Sequence, residues 1–269
     1  MNEERQVLLL IIKCLYEMQD CHIMNLAASK VDDGAHFHLR NLNITPFDCT
    51  VLFQFLRYVK NLLRLDLANN EHIDSLEVAK FLCENNVIEL NLFGNKIKDE
   101  GVEHLCGALT GINENCKLTN LNLGDNNIND KGAKHLYVAL INEKCKLTNL
   151  NLSNNNIKDE GVEHLCGALI NLNCKLTNLN LSNNNINDKG VQYLCGALKD
   201  VNCNLEELQI NNNEITDKGF EQMCDFIETY EYKLISLELA SPNMYKECRK
   251  RLIIAAQGNP NGTLKHLKF

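Results

Sequence analysis

Leucine and asparagine alternate in a short segment near the middle of the chain. Leu121 and Leu123 occupy every second position, with Asn120 and Asn122 beside them. This period of two predicts a short strand whose leucines face a core and whose asparagines face away from it. The same alternation returns at Leu150 and at Leu179, 29 residues apart each time.

A longer pattern surrounds the alternation. It runs through Leu118, Leu121, Leu123, Asn126 and Ile128, and it returns from Leu147, from Leu176 and, with Ile210 at one leucine position, from Leu205. This L-x-x-L-x-L-x-x-N-x-L spacing is typical of leucine-rich repeats. We therefore expect an α/β solenoid, a horseshoe with a parallel sheet inside and helices outside.

Each unit also contains an apolar stripe at helical spacing. In one unit the stripe is formed by Val102, Leu105, Cys106 and Leu109, and this pattern of i, i+3, i+4 and i+7 predicts the buried face of a helix. An aspartate stands two residues before a glycine near each helix start, which favours a role as N-cap. These aspartates are Asp99, Asp130, Asp159, Asp188 and Asp217.

One asparagine follows each strand, at the point where the chain turns away. Because a buried amide needs hydrogen-bond partners for all its groups, we expect these asparagines to stack inside the protein and to bond the backbone of neighbouring units. Pro242 occupies the same position further on, so the stack should end before it. The expected asparagine ladder consists of Asn95, Asn126, Asn155, Asn184 and Asn213.

The repeats predict a division of the chain into two parts. Residues 1–35 are expected to form an N-terminal helical cap or linker, and residues 36–269 about 8–9 repeat units, the first of them degenerate. The first helix carries two apolar stripes, one with Leu8, Ile11, Ile12 and Leu15, the other with Val7, Leu10 and Cys14. A capping helix needs only one such face, so the second predicts self-association through this helix.

The stretch from Cys14 to Asp20 resembles a C-L-Y-E-x-Q-E pattern in NOD-like receptors, in the helix before their repeats. The repeats, with helices of Gly-x-x-x-Leu-Cys-x-x-Leu pattern, resemble the ribonuclease-inhibitor subtype in the same receptors. The resemblance implies ligand sensing in innate immunity. The phosphate-binding Gly-x-x-x-x-Gly-Lys-Ser/Thr motif is absent from this sequence. We therefore expect the terminal repeat region of such a receptor, or a short paralogue.

Charge and hydropathy narrow the range of partners. The net charge of −8 argues against nucleic acid or an anionic membrane surface as the main partner. No apolar run approaches the roughly 20 residues of a membrane span. A signal peptide is disfavoured because Glu3 and Glu4 stand where basic residues belong, and Lys13 interrupts the apolar run. These features predict a cytoplasmic protein.

The cysteines follow the repeat. Among the 13 cysteines, one group occupies a repeated helix position and another the position two residues before a repeat's first leucine. We expect small buried core residues with reduced thiols. His104 and Cys106 have a spacing seen in metal sites, but helical residues two apart point in different directions. We expect neither a metal nor a cofactor.

Solenoids of this kind usually bind partners on their concave sheet face. Two interpretations of its outward side chains stay open: they solvate the strands, or they form a hydrogen-bonding floor for a protein partner or polar ligand. The candidate binding residues are Arg64, Asp66, Asn91, Phe93, Asn120, Asn122, Asn149, Asn151, Asn178, Asn180, Glu207, Gln209, Asn211 and Glu238.

The sequence contains no recognisable catalytic motif, neither G-x-S-x-G nor H-E-x-x-H. The leading hypothesis is a non-catalytic protein-interaction and sensing module of NOD-like-receptor type. The alternative is a cytosolic enzyme inhibitor resembling ribonuclease inhibitor, which predicts acidic and aromatic anchors near the C-terminal end of the concave face. Glu207 and Glu238 lie in that region, but tryptophan is absent.

Overall fold

The computed structural model describes residues 2–31, 36–111, 116–241, 244–259 and 262–269, and Pro242 lies outside these ranges. Strands and helices alternate along most of the described chain. The helices are α1 (Asn2–Met18), α2 (Cys21–Val31), α3 (Pro46–Leu56), α4 (Ser75–Glu84), α5 (Lys98–Thr110), α6 (Asp130–Leu140), α7 (Asp159–Leu169), α8 (Asp188–Leu198), α9 (Asp217–Thr229) and α10 (Lys246–Gly258). The strands are β1 (His36–His38), β2 (Arg64–Asp66), β3 (Glu89–Asn91), β4 (Asn120–Asn122), β5 (Asn149–Asn151), β6 (Asn178–Asn180), β7 (Glu207–Gln209), β8 (Ser236–Glu238) and β9 (His266–Lys268).

The strands form one open parallel sheet in sequence order, from β1 to β9. The register pairs equivalent residues of successive repeats, so Leu121 lies beside Leu150 and Leu150 beside Leu179. These three leucines are at most 3% exposed. The alternation thus places one leucine row in the core and two asparagine rows on the other side of the sheet. The predicted leucine-rich α/β solenoid is confirmed.

The asparagines after the strands are buried and bonded to the preceding repeat. The Oδ1 atom of Asn155 accepts hydrogen bonds from the backbone N–H groups of Asn126 and Ile128, at 3.0 and 2.9 Å. Its Nδ2 atom donates to the carbonyls of Leu123, Leu152 and Ser153. Asn95, Asn126, Asn184 and Asn213 bond in the same way. Asn70, completely buried, extends the asparagine ladder by one unit.

The aspartates near the helix starts have a different role from the predicted one. Asp130 is the first residue of α6, and Asn129 is the N-cap of that helix. The Asp130 carboxylate reaches the following repeat, where its Oδ1 atom accepts from the N–H groups of Lys158 and Gly161 at 2.8 and 2.9 Å. The prediction of an N-cap for the aspartate's own helix was therefore wrong, since the carboxylate bonds the start of the next one.

This contact explains the glycine two residues after Asp130, Asp159, Asp188 and Asp217. A Cβ atom at Gly161 would lie 2.5 Å from Asp130 Oδ1, and one at Gly190 would lie 2.7 Å from Asp159 Oδ1. Such distances are shorter than a carbon and an oxygen tolerate, so only glycine lets the carboxylate approach the helix start. The aspartates Asp99, Asp130, Asp159 and Asp188 thus form a second set of links between repeats.

Two helices cover the first repeat. Leu9 and Ile12 of α1 are buried, and the ammonium of Lys13 lies 2.6 Å from the carboxylate of Asp48 in α3. Burial alone would raise the pKa of Asp48, but hydrogen bonds from Lys13 and Thr45 outweigh it and lower the pKa.

Ile11 was predicted to share the buried stripe and is 48% exposed. Leu9 takes its place, because the helix is rotated slightly from the predicted orientation.

Candidate interaction surface

The outward side of the sheet forms a groove with a volume of about 530 Å³, which we call the strand-face groove. It crosses seven strands, from β1 to β7. The alternation within each strand builds it, because the first and third residues of every strand point outward. Predicted binding residues that line it are Arg64, Asp66, Asn91, Asn120, Asn122, Asn149, Asn151, Asn178, Asn180, Glu207 and Gln209.

The N-terminal end of the strand-face groove contains paired charges. Arg64 Nε lies 3.0 Å from Glu89 Oε2 across neighbouring strands. Asp66 is 7% exposed, and its carboxylate accepts from Arg40 Nε at 2.7 Å and from Asn91 Nδ2 at 3.0 Å. Asp66 therefore stabilises this end of the sheet and has little capacity left for a ligand.

The centre of the strand-face groove has no ionisable side chain on β4, β5 or β6. These three strands form two rows of asparagines along the groove. In the row at the ends of the strands, Asn122, Asn151 and Asn180 share one conformation. Each Oδ1 atom accepts from the backbone N–H two residues later, at 3.0, 2.9 and 2.9 Å. Of the two amide atoms only Oδ1 can accept from an N–H group, so this bond defines the orientation of each amide. The amide nitrogens consequently face the groove.

The other row, formed by Asn120, Asn149 and Asn178, is more fully bonded. Asn149 Nδ2 donates to Asn120 Oδ1 at 2.9 Å and to Thr148 Oγ1 at 3.0 Å. Thr177 Oγ1 donates to Asn178 Oδ1 at 2.7 Å. These bonds hold the first outward residue of each central strand in place and support the open side of the sheet.

Three predicted binding residues lie outside the strand-face groove. Phe93 follows the end of β3 and packs where a Cβ atom of Gly124 would stand, 2.7 Å from its ring. Asn211 Oδ1 accepts from the backbone of Ala240 at 2.7 Å, and Lys268 pairs with the Glu238 carboxylate. All three serve contacts between neighbouring repeats and do not line the groove.

His36 and His38 line the strand-face groove in addition to the predicted residues, and so does Glu89, an outward position of the predicted strand pattern. The signal for the histidines was present, since they flank Phe37 in the same alternating pattern. It was weak because the first unit lacks the asparagine that marks the later repeats. Leu42 stands at that position instead.

The thirteen cysteines are free in the structure. Burial is the main cause that raises the pKa of Cys106 to about 12 and that of Cys174 to about 11. Protonated buried thiols are poor nucleophiles and poor metal ligands. Within the described residues no group of three or more histidine, cysteine or acidic side chains could hold a metal ion.

Comparison with known proteins identifies the repeats. A family model described as Leucine Rich repeat matches residues 85–106, 114–136, 143–166, 172–195 and 201–224. Leucine-rich repeats are present in this chain. The matched segments contain β3 to β7, so the central and C-terminal parts of the strand-face groove are built by leucine-rich repeats. Such repeats commonly present extended binding surfaces, which makes a protein-interaction domain the class of function that they suggest.

Two further comparisons carry no argument about the function of this chain. No curated protein matches the chain. One similar solved structure is that of "Leiomodin-1 Actin-Binding Site 2 (ABS2)", which is 21% identical with a TM-score of 0.47. The alignment covers 60% of this chain and 86% of that one. None of the helices in the described ranges combines the length and the hydropathy needed to cross a membrane.

Proposed function

We propose that this chain is a non-catalytic protein-interaction and ligand-sensing domain of NOD-like-receptor type. In this proposal its leucine-rich repeats bind a protein partner in the strand-face groove, which corresponds to the concave face of the solenoid. The domain acts in the cytoplasm as part of innate immune signalling.

The observation that carries the proposal is the uncharged, amide-lined centre of the strand-face groove. Asn122, Asn151 and Asn180 are half-buried and hold their amide nitrogens toward the groove. The backbone N–H that binds each Oδ1 atom fixes the amide, so three successive repeats present the same free donor to the groove. A uniform row of donors is better suited to a partner with matching acceptors.

The receptor type is supported by the first helix. Cys14 to Asp20, which resemble the helix before the repeats in NOD-like receptors, cover the end of α1 and the turn after it. On the same helix Val7, Leu10 and Cys14 are exposed. An adjoining helical module or a second copy would cover this apolar surface. The free thiols agree with a reducing compartment.

The proposal can be tested by blocking the strand-face groove. Asn151→Trp places a bulky side chain at its centre, and Leu172→Trp provides a control on a loop residue that is 83% exposed. Partners cross-linked to the wild type in a cell lysate should be lost from the groove variant and kept by the control. Equal recovery with both variants, or cross-links confined to the helices, would contradict the proposal.

A further inference from the structure

Three asparagines of the strand-face groove form what we call the donor row, because their amide nitrogens are free to donate hydrogen bonds. They are Asn122, Asn151 and Asn180. Among the described residues, the Nδ2 atoms of Asn122, Asn151 and Asn180 have no hydrogen-bond partner, whereas each Oδ1 atom is already bonded to backbone. Both hydrogens of each Nδ2 atom are therefore left to solvent or to a ligand.

The spacing of the row follows from the sheet. β4, β5 and β6 are adjacent parallel strands in register, so equivalent amide groups recur at about 4.8 Å. A carboxylate has two oxygens and can accept from two donors at once. One carboxylate can thus bridge two neighbouring amides of the row, and a second can occupy the remaining donors.

We infer that the row binds carboxylate side chains of an acidic polypeptide segment lying along the strand-face groove. This inference rests on the function proposed above and names the chemistry of the partner. A carboxylate presents acceptors only, which is what a row of donors requires. Carboxamides and sugar hydroxyls bring donors of their own, and a sugar would also lack aromatic faces for stacking in the groove centre.

Charge does not prevent acidic ligands from binding. The net charge of −8 is spread over the whole chain, and physiological salt screens exposed charges beyond about 8 Å. At the centre of the groove, β4 to β6 contribute no carboxylate. Both acidic residues at the N-terminal end, Asp66 and Glu89, are paired with arginines. Glu207 also lines the groove, on β7 beside the row, so the donors of Asn122 and Asn151 are better placed for a carboxylate than that of Asn180.

The test uses poly-L-glutamate as the probe and binding measured by fluorescence anisotropy on the full chain. Asn122→Asp, Asn151→Asp and Asn180→Asp, combined, keep the oxygen that bonds the backbone and convert each free donor into an acceptor. We expect at least a tenfold loss of affinity. The matched control is Asn127→Asp, Asn156→Asp and Asn187→Asp, which adds the same charge outside the groove and should bind within about twofold of wild type.

The single variant Asn151→Asp is measured as well, in case the triple variant misfolds. Circular dichroism checks that both variants are folded. A folded single variant that also loses affinity supports the inference. Equal loss in the groove and control variants, or no loss in either, overturns it.

Asn151→Trp separates the two proposals. If it blocks partner binding while the aspartate variants bind normally, the groove is a partner site without carboxylate recognition. If it blocks neither partner nor probe, both proposals fail.

Discussion

Two asparagines four residues apart in one repeat illustrate how position determines the role of an amide. Asn151 and Asn155 each accept backbone N–H groups through Oδ1. The Nδ2 atom of Asn155 donates to three carbonyls inside the protein, while that of Asn151 faces the strand-face groove. The leucine spacing predicts which asparagine turns inward. It does not predict the shared amide orientation in the groove, because that depends on the backbone N–H two residues later.

The asparagine ladder leads to a prediction about stability. Asn155→Ala leaves the N–H groups of Asn126 and Ile128 buried without their acceptor, so it should lower the free energy of unfolding by about 1–3 kcal/mol. Asn156→Ala, at an exposed side chain, should change it by less than about 0.5 kcal/mol. Urea denaturation measures both values, and equal losses would contradict the register of the repeat.

The cysteines allow a prediction about reactivity. Thiolates react and thiols do not, so a raised pKa leaves less reactive thiolate at pH 8, and burial excludes the reagent as well. In the native protein we expect rapid labelling of the exposed Cys14 and Cys21 only. Denatured, unreduced protein should titrate nearly all 13 thiols. Fast labelling of buried Cys106 or Cys174 would contradict the structure. So would a number of titratable thiols in the denatured protein far below that total.

At the scale of elements, the starts of α6, α7, α8 and α9 are each held by an aspartate of the repeat before. Asp159 bonds the N–H groups of Asn187 and Gly190, which belong to the start of α8. The sequence shows an aspartate before a glycine in the same helix and so predicts a local cap. It cannot reveal that the partner lies 31 residues further on, because that contact depends on how the repeats stack.

A pair of glycine substitutions tests this link. Gly161→Ala would bring a Cβ atom within 2.5 Å of Asp130 Oδ1. The resulting overpacking, about 1–3 kcal/mol, should exceed the gain of up to about 1 kcal/mol in helix propensity. Gly107→Ala, where nothing lies within 4 Å, should be stabilising instead. Thermal unfolding of both variants shows whether each one is more or less stable than the wild type. Stabilisation by Gly161→Ala would refute the close contact.

The first helix leads to a prediction about self-association. Val7, Leu10, Ile11 and Met18 are between 48% and 60% exposed along one side of α1. Exposed apolar stripes of this kind promote association, so we expect dimers that depend on concentration. Leu10→Glu should weaken them, while Ile12→Glu, at a fully buried position, should instead detach the helix from α3. Analytical ultracentrifugation that finds only monomer at high concentration would contradict this expectation.

At the scale of the whole molecule, the regular spacing of leucines is what made the fold predictable. A repeat buries the same side chains in every unit, so one segment such as Leu118–Ile128 indicates the strand order and the core together. The extent of the strand-face groove was less predictable. Phe93, Asn211 and Glu238 are outward by pattern, yet each is engaged by a neighbouring repeat. His36 and His38 belong to a first unit whose pattern is degenerate.

The most direct test of the interaction surface observes the side-chain amides themselves. In ¹⁵N-labelled protein the NH₂ signals of Asn122, Asn151 and Asn180 can be followed by NMR while poly-L-glutamate is added. The structure predicts that these three signals shift together and that those of Asn126 and Asn155 in the asparagine ladder stay in place. Shifts confined to lysines and backbone amides on the helices, with the groove amides unchanged, would contradict a binding site in the strand-face groove.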